Sequence, residues 1–265
     1  MIPALFQKTL KQNWVLLLIF FGVLVMYMSS MLAMYDPANM EGLMLMIEAF
    51  PEALSAAMGF DAIPLDLTGY LASWLYGMLM IGFPLVYSII LGNRLVAAMV
   101  DSGSFAFLLS TPHSRRKLII TQGVYAVSSM LILFTAVFVV GMLSAQALFP
   151  GELDIAGFLR LNVTTMLVNT VVLMISFFFS CVFNESRLAL AFGSGVPITF
   201  LLMKMLSESA PGLGFLARAS IFGFYDPLKV AAGEPVLVTN VIYIGLVAAL
   251  FAAGTAVFCR KRLPL

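Results

Sequence analysis

Few residues in this sequence are of a type that does chemistry, and two stretches set them in a readable pattern. The first is Asp101-Ser102-Gly103-Ser104-Phe105-Ala106-Phe107-Leu108-Leu109-Ser110-Thr111-Pro112-His113-Ser114-Arg115-Arg116-Lys117. An acid, a Gly-Ser joint, an apolar run, a proline stop and a basic run suit recognition of a partner or a membrane surface, not bond-making. The second stretch lies inside an apolar run. There Asn162, Thr165, Asn169, Ser176 and Ser180 recur at spacings of 3, 4, 7 and 4. At 100° per residue they share an arc of about 60°. Polar groups inside an apolar helix are costly, so this stripe either lines a polar route or hydrogen-bonds neighbouring helices.

Enzymatic arrangements find little support. His113 is the only histidine, so histidine-rich metal clusters cannot form, and a Ser-His-Asp triad would need a residue with no paired acid nearby. Cys181 and Cys259 lack metal-ligand spacing, and no metal site or structural disulfide is expected. No Gly-x4-Gly-Lys-Ser/Thr phosphate loop occurs; Gly193-Ser194-Gly195 has no lysine after it. The methionines are scattered through apolar runs and read as packing filler. The chain is therefore not expected to be an enzyme by itself.

The elements that must carry these residues follow from composition. Of 265 residues, 62% are hydrophobic and 10% charged, against about 45–50% and about 25% in soluble domains. That excludes an ordinary soluble globule, a disordered tail and a disulfide scaffold. Fourteen Lys and Arg against thirteen Asp and Glu leave a net charge of +1, with no basic surplus for nucleic acid. Crossing a bilayer takes about 20 apolar residues in a helix. Six such runs occupy roughly 14–34, 71–92, 118–148, 160–183, 188–206 and 236–259. The expected fold is all-α and polytopic, with residues 1–265 forming a single transmembrane domain.

Charge sets the expected orientation. With the N-terminus inside, the inner segments hold Lys8, Lys11, Arg94, Arg115, Arg116, Lys117, Arg187, Arg260, Lys261 and Arg262, against Asp101 and Glu185. The outer segments hold the other four basic residues and the other eleven acids. Basic residues near span ends favour the inner face, so both termini are expected there.

Within the inner segment 93–117, an amphipathic helix over 94–107 is expected, with Leu95, Val96, Met99, Val100, Ala106 and Phe107 on one face. Ser102-Gly103 forms a joint, and Arg115, Arg116 and Lys117 enter the third span at the headgroup level. The outer loop 35–70 is acidic, and short amphipathic helices at the interface fit it. The outer loop 207–235 carries rings that fit an aromatic belt or an exit-side gate. Gly193, Gly195 and Pro197 predict a kink or unwound turn, a hinge or tolerated packing. Lys204 is expected to snorkel.

The inner segment resembles the signature of the type-2 ABC exporter permeases, six-helix membrane subunits driven by a separate ATPase. That signature is an acid, Gly-Ser/Thr, a hydrophobic pair, Leu-Leu, a proline and a Ser-Arg-Arg/Lys run. Leu91-Gly92-Asn93-Arg94 also fits, while the frequent acidic pair is reduced to Asp101 and the usual Gly-Thr is Gly103-Ser104. The resemblance implies that Asp101, Gly103, Ser104, Phe105, Phe107, Leu108 and Leu109 form a coupling helix seated in a cleft of the ATPase. It also implies ATP and Mg on that partner, a second permease subunit, location in a bacterial-type cytoplasmic membrane, and transport by alternating access. The mostly apolar spans suit an amphipathic or lipid-like substrate. A carrier or channel needing no ATPase, and a non-transporting scaffold or sensor subunit, are the alternatives.

Overall fold

The computed structural model describes residues 1–37, 66–209 and 213–261. Most of the acidic loop 35–70, with its expected interfacial helices, lies outside the described residues. Helix α1 (Pro3–Met34) is followed by α2 (Leu67–Leu71), a π-helical stretch (Ala72–Leu79) and α3 (Met80–Leu95), which together make the second span. Two short helices, α4 (Ala97–Asp101) and α5 (Ser104–Leu109), lead to α6 (Arg115–Leu148), α7 (Ile155–Val182) and α8 (Ser186–Ser209). Then come α9 (Gly214–Ala219), a 3-10 turn (Ile221–Phe224), α10 (Pro227–Ala231) and α11 (Leu237–Arg260). Six helices are long and apolar enough to cross a membrane, and no strand occurs among the described residues.

Helix ends follow local chemistry rather than hydropathy. Apolar character begins near residue 14, but α1 starts at Pro3: proline suits the first helical turn, and Gln7, Lys8, Lys11 and Gln12 are good helix formers. Ser114 caps α6 by accepting from the Lys117 N–H at 3.4 Å, and Asp154 caps α7 by accepting from the Ala156 N–H at 3.0 Å.

Helix α7 is the axis of the bundle, packing against α3, α6, α8 and α11. The most apolar part of α7 is 72% buried, against 17% in α1 and α11 and 22% in α8. The outer helices thus present apolar faces to lipid, while α7 is enclosed by protein.

That enclosure lets α7 repair two proline defects. Pro84 in α3 has no N–H for the Met80 carbonyl, and Pro197 in α8 has none for that of Gly193. Asn169 Nδ2 donates to Met80 O at 3.0 Å, and Ser176 Oγ donates to Gly193 O at 2.8 Å. Both donors come from one face of α7. The expected interruption at Gly193, Gly195 and Pro197 does not unwind the backbone: α8 stays helical throughout, because a side chain replaces the lost bond. Ser176 is also where three helices approach closely. A Cβ added at Gly92 would lie 2.6 Å from Ser176 Cβ, and one at Gly193 would lie 3.3 Å from Ser176 Cα.

A third defect is in the second span. Met80 N–H reaches back to Leu75 O, five residues away. Returning to four-residue bonding beyond it skips the Tyr76 carbonyl. Tyr225 Oη donates to that carbonyl at 3.3 Å.

Candidate functional site

At one end of the bundle the chain between α3 and α6 folds into a small plate. Val96, at φ −135° and ψ −67°, breaks the helix after Leu95. The freed Ala97 N–H donates to Ser180 Oγ at 2.7 Å, and Ser180 Oγ bonds to Asn93 O at 3.4 Å. Asn93 Nδ2 donates to Ser186 Oγ at 2.8 Å, and the Ser186 N–H donates to Asp101 Oδ2 at 3.3 Å. Asp101 therefore sits at the positive start of α8, where a carboxylate is favoured. Only residues 183–185 separate α7 from α8, in a tight turn.

Gly103 turns the chain at φ +73°, a left-handed conformation that glycine adopts without strain. Ser102 and Ser104 hydroxyls bond to each other at 2.9 Å across this turn. In α5 the two phenylalanines diverge. Phe105 is buried and packs edge-on against Phe258 of α11, ring centroids 5.1 Å apart. Phe107 is 80% exposed. Leu108 is half-buried against the core, and Leu109 ends the helix.

This arrangement corrects the single amphipathic helix expected over 94–107. Leu95, Val96 and Val100 do face inward, but Ala106 and Phe107 face solvent. The breaks at Val96 and Gly103 reset the helical phase, so residues before and after them no longer share a face. Phe105, off the expected face, becomes the anchor.

The plate is clasped from the other side. Arg115, first in the basic run, donates to Lys261 O at 3.0 Å. Lys261 Nζ donates to Cys181 O at 3.2 Å, at the end of α7, and lies 5.9 Å from the Phe258 ring centroid. Burial pushes the Lys261 ammonium down to about 8. Arg116 and Arg260 lie at the mouth of a separate groove between α6 and α11, and Lys117 closes the α6 cap. Asn93, within the Leu91-Gly92-Asn93-Arg94 match, is joined in the site by Ser186, Phe258 and Lys261, whose roles there nothing in their local sequence marks. Only packing brings four separate segments together.

The polar stripe of α7 is fully buried in the bundle. Asn162 Nδ2 donates to Tyr76 Oη at 3.0 Å, and Thr165 Oγ1 pairs with Tyr225 Oη at 2.7 Å. Asn169, Ser176 and Ser180 make the inter-helix bonds given above. All five side chains are thus hydrogen-bonded to other segments of the bundle. Near the opposite end, Phe222 and Tyr225 are buried instead of forming a belt, whereas Phe215 and Phe224 are exposed. Burial raises the Tyr225 phenol well above its ordinary range, which keeps it a donor. Lys204 turns inward: Nζ donates to Tyr225 O at 3.0 Å and stands 5.3 Å from the Tyr225 ring centroid. Snorkelling toward water is replaced by this carbonyl and ring. Beside them lies a groove of about 740 Å³, lined by Met31, Trp74, Met78, Leu79, Lys204 and Asp226 among others.

A family profile described as ABC-2 family transporter protein matches residues 6–223. That range covers five of the six long helices, the plate and the stripe. A search of curated proteins gives no significant match.

Proposed function

We infer a function from one premise: the chain belongs to the ABC-2 transporter family, and is a multi-pass membrane permease subunit of an ABC transporter. Such subunits are not themselves catalytic and work with an ATPase subunit. Our reading is that the α4–α5 plate is the coupling segment and that a separate nucleotide-binding chain, carrying ATP and Mg, docks on it. The exposed Phe107 ring on a plate whose neighbours are bonded down carries this reading. An aromatic presented by a rigid element is the kind of residue that anchors a protein interface. Asp101, Gly103, Ser104, Phe105 and Leu108 shape and hold the plate, and Leu109 ends its second helix.

The mechanism is mechanical. Nucleotide closes a pair of ATPase chains, and the plates of two permease chains move with them. The plate bonds directly to the ends of α7 and α8 and packs on α11, so its displacement tilts those spans together. Differential affinity of the two states for nucleotide supplies the energy. The basic surplus at the plate end supports a cytoplasmic location for it and for both termini, in a cytoplasmic membrane. The groove beside Tyr225, mostly apolar with few polar groups, supports an amphipathic or lipid-like cargo that is exported.

Gentle purification from native membranes tests this proposal. A stoichiometric ATP-hydrolysing chain is expected, and reconstituting both should give ATP-dependent flux. Purification without such a chain, together with flux that needs no ATP, would overturn it.

A further inference from the structure

On the α1 side of the plate lies a crevice of about 380 Å³. Lys8 and Arg94 line it from α1 and α3, and no acidic residue among the described residues lines it. Asn13 and Gln122, both more than nine-tenths buried, form part of its wall with Gln12 and Ser104. Each amide has two N–H donors. Asn13 Nδ2 has one backbone partner, Thr9 O at 3.0 Å. Gln122 Nε2 has only the Met99 sulfur at 3.9 Å, a weak acceptor. Two cations and under-used amide donors around one space make a site for an anion with several acceptor oxygens.

The crevice also has a defined depth. Trp14, Val15, Leu18 and Ile19, which follow Asn13 along α1, are exposed and apolar and face lipid. The space beside Lys8 and Asn13 is therefore level with the lipid headgroups. Trp at the start of an apolar face marks this boundary.

We propose that the crevice holds the phosphate of an anionic membrane phospholipid. Lys8 and Arg94 neutralise the phosphate at the mouth, and Asn13 and Gln122 donate to its oxygens from the wall. The bound headgroup ties α1 to Met99, Ser104 and Leu108, which line the same crevice from the plate. That the lipid thereby sets the stiffness of the docking segment rests on the function proposed above; lipid binding itself does not.

The test is retention of phosphatidylglycerol by the purified full chain after exchange from mixed phosphatidylglycerol and phosphatidylcholine vesicles, read by native mass spectrometry. Lys8→Gln with Arg94→Gln should reduce retention about tenfold or more, since each basic residue at a membrane surface contributes several-fold in affinity. Arg94→Lys, keeping the charge, should retain most of it. Lys11→Gln is the control, because Lys11 lies outside the crevice and removes the same charge from the same helix. Equal retention by wild type and the Lys8/Arg94 double variant would overturn the proposal, and so would an equal loss in Lys11→Gln. Displacement of the lipid by millimolar inorganic phosphate would overturn the lipid assignment in favour of a free anion.

Discussion

The repair of the Pro197 defect by Ser176 predicts a specific non-additivity. Ser176→Ala leaves the buried Gly193 carbonyl without a donor. In a soluble core an orphaned group costs about 1–3 kcal/mol. Bonds between membrane helices average less, about 0.6 and at most about 1.7 kcal/mol, because the separated helices also find partners. The second figure governs here, since α8 remains a helix in micelles, so about 1 kcal/mol is expected. Pro197→Ala restores a backbone N–H four residues beyond Gly193. In that background Ser176→Ala should cost less than about half as much. The four proteins of this cycle are compared by reversible unfolding in mixed micelles titrated with a denaturing detergent, followed by circular dichroism and tryptophan emission. A coupling of roughly 0.5–1 kcal/mol between positions 176 and 197 is predicted. Equal costs of Ser176→Ala in both backgrounds would refute the reasoning, since the hydroxyl would then not be replacing the missing bond.

Other consequences follow from the same contacts. Phe105→Ala empties a buried site against Phe258 and should destabilise the fold by about 3 kcal/mol, whereas Phe107→Ala should leave stability within about 0.5 kcal/mol; thermal denaturation separates the two. Gly92→Ala places a Cβ 2.6 Å from that of Ser176 and forces α3 and α7 apart. A loss of about 1–3 kcal/mol is expected, visible as a lower midpoint in the same detergent titration. Lys261 has a lower proton affinity folded than unfolded, because burial disfavours its charge. Between pH about 8 and about 10.5 the unfolded chain binds more protons, so this residue makes stability rise with pH across that window. Relative to Lys261→Met, wild type should gain stability from pH 8 to 10; parallel pH profiles would contradict this.

The spans were legible because apolar run length is a property of the sequence alone. Their ends were less so: α1 begins eleven residues before the apolar run, since helix propensity and hydropathy are different quantities. The stripe on α7 was legible as one face, but its partners were not. The Met80 and Gly193 carbonyls become available only because of prolines on other helices, and the pairing needs three-dimensional neighbours. The plate is legible in its residue types, while its exposed face is not. Periodicity assumes an unbroken helix, and Val96 and Gly103 each break the phase. Phe105 and Phe107 look alike in sequence, both follow Gly103, and differ only in which face of α5 the packing turns inward.

The placement of a nucleotide-binding partner on the plate is tested most directly by a photo-crosslinking residue at position 107. Position 215 is the control, an exposed phenylalanine beyond the far end of α8. In native membranes, position 107 should capture an ATP-hydrolysing chain in high yield, and position 215 should not. Capture of that chain from position 215 but not from 107 would contradict the docking of an ATPase on α4–α5.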